Sequence, residues 1–123
     1  MFSPLASQRI LYASAGLSAI AVYKHTLIGI NELFSKLERG NLDSTAVWAA
    51  KSNFLQVGAA WCVIGILQLK WAAYGVADGY DKAILGFYVA YSFLFGLGFF
   101  RRGVYVPLIP LWIIPAVTVA SQL

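Results

Sequence analysis

The stretch AVYKHTLIGINELF, residues 21–34, lies in a strongly apolar run. It nevertheless carries Lys24 and His25 side by side, with Glu32 one heptad after the histidine. How this stretch is read decides the fold. A helix that is apolar over a bilayer's thickness belongs in lipid, and ionisable groups inside such a helix need a reason. Composition favours lipid. The chain has 123 residues, 60% hydrophobic and 11% charged, with mean hydropathy +0.73. Soluble domains carry about 25% charged residues. A soluble fold this small buries only about two-thirds of its chain surface. The sequence therefore predicts an integral membrane protein, one domain over residues 1–123.

Working outward, four apolar segments have spanning length: about 10–30, 46–69, 83–100 and 104–120. The expected fold class is all-α, a four-helix membrane bundle with short connections. Ser14/Ser18 and Ala15/Ala19 in the first segment have the spacing that lets helices approach closely. Gly86/Ala90 and Ser92/Gly96 offer the same in the third. The first helix continues as an amphipathic extension through NELFSKLERG, with Gly40 as its stop. The second starts near Asp43-Ser44-Thr45 and runs to about Tyr74, where Gly75 stops it. Gln68, Lys70, Trp71 and Tyr74 read as its interfacial end. Asp78-Gly79 is a turn, and Asp81 is expected to cap the third helix. Pro107, Pro110 and Pro115 predict a kinked fourth helix.

The net charge is +4. The basic residues stand singly or as Arg101-Arg102 at the ends of apolar runs, as topology anchors do. No basic tract points to nucleic acid. Lys/Arg placement favours termini outside or in the lumen. Cys62 is the single cysteine, so neither a disulfide nor a cysteine metal site is available. No metal motif, phosphate loop, hydrolase elbow or dinucleotide fingerprint occurs. A haem held between helices wants two histidines, and there is one. No metal and no cofactor are expected.

The candidate catalytic residues are His25 and Glu32, a base in the neutral range and an acid whose burial would raise its pKa. Seven positions apart on a helix, they share a stripe but lie about 10 Å apart along the axis. Gly29 between them leaves a gap for a ligand or a side chain. Lys24, Ser52, Asn53 and Gln56 are candidate substrate-binding residues around a polar pocket near the connection between the first two helices. The competing reading makes His25 polar glue between helices and Lys24 a snorkelling cation.

Two resemblances follow from particular stretches. The first segment, the connection FSKLERGNLDSTAVWAAKSNF (residues 34–54) and the three spans after it resemble the ergosterol-biosynthesis scaffold proteins of the endoplasmic reticulum. That implies tethering of sterol enzymes without catalysis. AAKSNFLQ (49–56) and FFRRGVY (99–105) resemble the membrane-associated glutathione and eicosanoid family, trimeric four-helix bundles. That implies Asn53, Arg101, Arg102 and Tyr105 at a thiol-substrate site. Gln56 stands where that family has an acidic residue.

The leading expectation is a multi-pass protein of the endoplasmic reticulum or a related membrane. It would be a non-catalytic scaffold or accessory subunit for lipid, sterol or isoprenoid metabolism. Its partners would be membrane lipids and other membrane proteins or further copies of itself. Two alternatives stand beside it. One is a cofactor-independent isomerase, cyclase or transferase acting on an apolar lipid or terpenoid-like substrate by acid–base chemistry. The other is an oligomeric transporter or channel subunit.

Overall fold

The computed structural model describes residues 3–122, and the described residues are helical without a strand. Helix α1 (Pro4–Ile28) runs through a π-helical turn (Gly29–Leu33) into α2 (Phe34–Arg39). After a short bend follow α3 (Ser44–Tyr74), α4 (Gly79–Arg101), a second π-helical turn (Ile109–Ile113) and α5 (Ile114–Ala120).

Local chemistry explains most of the ends. Ser3 caps α1, accepting from the Ala6 N–H at 3.2 Å, and Pro4 sits in the first turn, where its missing donor costs nothing. The helix thus starts six residues before the apolar run. Asp43 is the cap of α3 and accepts from the Ala46 N–H at 2.9 Å. Gly75 ends α3 at φ 74°, a left-handed conformation that glycine adopts without strain. Asp78, not Asp81, caps α4: its carboxylate accepts from the Asp81 N–H at 2.8 Å. Asp81 is instead buried, bonded to the Lys70 ammonium at 2.7 Å and to the Ala77 N–H at 3.2 Å. It ties the start of α4 to the end of α3.

Helices α1 and α3 form the longest interface, an antiparallel hairpin. Leu11 packs near Trp71, Ser18 meets Gln68, His25 meets Phe54 and Glu38 pairs with Lys51. The hydrogen bond from Lys51 holds the exposed Glu38 carboxyl below its ordinary range. Its small contribution is present above the ordinary carboxylate pKa and fades as the pH falls below it.

The C-terminal segment packs between α1 and α4. It buries Leu111, Ile114, Pro115 and Thr118. Helix α4 turns Asp81, Tyr88, Ser92 and Gly96 inward. The Ser92/Gly96 pair is therefore a packing surface as expected, whereas Gly86 and Ala90 face outward. The prolines do break the fourth segment, whose apolar helix covers only Ile109–Ala120. Two helices, α3 and α4, are long and apolar enough to cross a membrane.

Candidate functional site

The inward stripe of α3 reads Phe54, Gly58, Trp61, Gly65, Gln68 and Ala72, with steps of three and four residues. That is the seam of a close helix pair. Opposite it stand Leu11, Ser14, Ser18 and His25 on α1, and Gly29 at the start of the π-helical turn. Small residues let the backbones approach: a Cβ on Gly65 would lie 3.6 Å from the Ser18 Cβ. Two polar contacts are built into this seam, and a third joins α4 to the C-terminal segment.

The first is His25. Its Nε2 lies 2.8 Å from the Phe54 carbonyl oxygen. A carbonyl only accepts, so this nitrogen carries the proton. The ring stacks on Phe54 at 3.7 Å between centroids and meets the Trp61 ring edge-on at 5.0 Å. Gly58, one turn beyond Phe54, lies under the imidazole; a Cβ there would touch His25 at an ordinary 3.6 Å. The imidazole is thus held between aromatic rings with one nitrogen committed to the neighbouring helix.

The second is Gln68, fully buried. Its amide accepts from the Ser18 hydroxyl at 2.8 Å and donates to the Thr118 hydroxyl at 2.9 Å. Thr118 donates in turn to the Ile114 carbonyl at 2.8 Å. One side chain therefore clasps α1, α3 and α5. The sequence reading placed Gln68 at the interface; the structure turns it inward, because it lies on the glycine stripe of α3. Continuing that stripe from Gly58 and Gly65 was the available signal.

The third is Trp112, whose indole N–H donates to the Phe93 carbonyl at 3.3 Å beside Gly96. It repeats the device of His25: a ring N–H reaches a main-chain carbonyl about one turn before a glycine.

Glu32 does not join His25. It lies exposed in the first π-helical turn and makes no ion pair or side-chain hydrogen bond among the described residues. Gly29 is filled by a side chain: a Cβ there would lie 2.6 Å from the Phe54 ring. The gap between His25 and Glu32 is therefore occupied by the Phe54 ring. Lys24, Asn53 and Gln56 are exposed and Ser52 is half-buried, so these do not converge on an enclosed pocket. Arg101, Arg102 and Tyr105 are exposed at the end of α4. Tyr105 meets Phe100 edge-on at 6.0 Å, and Arg102 donates to the Gly98 carbonyl at 2.8 Å. Two open cavities, of about 470 and 410 Å³, lie elsewhere. The larger is bounded by Pro4, Leu11, Trp71, Gly75 and Ser121, the smaller by the last turns of α4 and Arg102. Neither includes His25 or Glu32.

No candidate cluster of three or more metal-ligating histidine, cysteine or carboxylate side chains occurs among the described residues. No protein-family model, curated protein or solved structure matches the chain.

Proposed function

We propose that the chain is a multi-pass membrane protein, a four-helix bundle in the bilayer. It acts there as a non-catalytic scaffold or accessory subunit for enzymes of lipid, sterol or isoprenoid metabolism. The observation that carries the non-catalytic part is the bond from His25 Nε2 to the Phe54 carbonyl. The one side chain best suited to proton transfer is engaged in holding two helices together, and its expected acid partner stands apart. The membrane part is supported by exposure. Only 11% of the apolar window of α3 and 17% of that of α4 is covered by protein. The core helix of a soluble fold would be mostly covered; these faces need an apolar solvent. The endoplasmic-reticulum setting rests on the resemblance in layout to the sterol scaffold proteins.

Cys62 tests the membrane part. It is exposed on α3 and is the only cysteine. A charged reagent does not enter the apolar core of a bilayer, so a thiol there stays out of its reach. A charged, water-soluble maleimide should leave it unlabelled in intact membranes and label it after denaturation in detergent. Rapid labelling in intact membranes would sink the reading.

The non-catalytic part is tested in cells lacking the chain, rescued at matched protein levels by His25→Ala or Glu32→Gln. Both variants should restore the lipid profile. His25→Ala should lower stability in detergent by about 1–2 kcal/mol, the range of an interhelical hydrogen bond with its packing. Failure of either variant to rescue at normal levels would make the site catalytic.

A further inference from the structure

The outer face of α4 combines two features that the bundle does not use. The first is an apolar track. Phe87, Tyr91 and Phe95 stack in a ladder with centroids 5.9 and 4.3 Å apart. The ladder leads into a groove of about 410 Å³ lined by Leu94, Phe95, Gly98, Phe99 and Arg102. Gly98 makes this groove, because the side chain it lacks would point into it beside the arginine.

The second feature is charge. Arg102 Nη1 donates to the Gly98 carbonyl at 2.8 Å, which fixes the guanidinium at the head of the groove. Four N–H donors remain. Arg101 adjoins it, and among the described residues neither arginine pairs with a carboxylate. Asp78 and Asp81 stand at the other end of α4, Glu38 is taken by Lys51, and Glu32 and Asp43, at the same end as the arginines, form no ion pair with them among the described residues.

We propose that this end of α4 binds an anionic phospholipid, with its phosphate on Arg101 and Arg102 and one acyl chain in the groove over Gly98. The inference rests on the membrane reading above. Charge and shape select the ligand together. A neutral sterol leaves the guanidinium groups unanswered, and a soluble phosphate leaves the groove unfilled. An arginine fork held in place before binding suits the planar, two-oxygen face of a phosphate diester.

The test uses the whole chain in dodecylmaltoside micelles containing equal amounts of phosphatidylglycerol and phosphatidylcholine with the same acyl chains. Retained lipid is counted by native mass spectrometry. The wild-type chain should retain phosphatidylglycerol over phosphatidylcholine by about tenfold, the weight of one strong charge-assisted contact. The double variant Arg101→Gln/Arg102→Gln should lose the preference. Gly98→Leu should lose it too without changing the net charge; its Cβ meets only Arg102, at an ordinary 3.5 Å, so the helix tolerates it. Arg9→Gln, at the opposite end of the bundle, should keep it. Inorganic phosphate in large excess should not release the lipid. Persistence of the preference in Gly98→Leu or in the arginine double variant would overturn the proposal, as would its loss in Arg9→Gln or on adding phosphate. The membrane reading fails separately, if alkaline carbonate releases the chain from membranes.

Discussion

Gly96→Leu will loosen α4 from the rest of the bundle. A Cβ at Gly96 would lie 2.0 Å from the Trp112 indole nitrogen and 2.5 and 2.7 Å from two of its ring carbons. The indole must move, and doing so disturbs its contacts with Phe93, stacked at 5.8 Å, and Phe100, tilted at 5.6 Å. Its hydrogen bond to the Phe93 carbonyl would go as well. Helix α4 packs chiefly on the C-terminal segment that carries Trp112, so the loss falls on its main attachment. Overpacking a filled site costs about 1–3 kcal/mol, and with the hydrogen bond the expected loss is about 3 kcal/mol. The measurement is denaturation by sodium dodecyl sulfate in mixed micelles, compared with Gly86→Leu. A Cβ at Gly86 meets nothing within 4 Å, so that control should lie within about 0.5 kcal/mol of wild type. Combining Gly96→Leu with Trp112→Ala should recover part of the loss, because the two side chains compete for one space. Equal stability of Gly96→Leu and Gly86→Leu would refute the packing.

Gln68→Ala carries the second large effect. The variant removes the bonds to Ser18 and Thr118 together and leaves a cavity where three helices meet. Interhelical hydrogen bonds in membranes contribute about 1 kcal/mol each, and a buried cavity adds a comparable amount, so the expected loss is about 3 kcal/mol. Gln68→Met separates the two causes. It keeps the volume and drops the bonds, and should cost about 1–2 kcal/mol under the same denaturation. If methionine is as damaging as alanine, the hydrogen bonds dominate and the cavity matters little. If alanine is harmless, Gln68 does not clasp the helices.

These two positions show how unevenly the sequence discloses the structure. Ser92/Gly96 was legible as a close-packing pair, because small residues four apart on an apolar helix have few other uses. That Trp112 fills the space was not legible, because the indole arrives from another helix. Gln68 is not legible as buried, because a glutamine next to Lys70 and Trp71 looks interfacial along its own helix. Only the phase of the α3 stripe shows that it faces inward.

The opening stretch divides in the same way. An apolar helix through residues 21–34, its extension to Arg39 and its stop at Gly40 followed from hydropathy and local propensity. The stop of α3 at Gly75 did too, while its start was narrowed to Asp43-Ser44-Thr45, of which the structure picks Asp43 as the cap. What fills the gap at Gly29, and what His25 bonds, depended on Phe54, 29 positions from the histidine along the chain. By itself the sequence determined that the chain is helical and roughly where most helices start and stop, because those arise from interactions within a few residues. Only the tertiary structure decided which polar groups are engaged and which face outward, because that depends on the register and rotation of one helix against another.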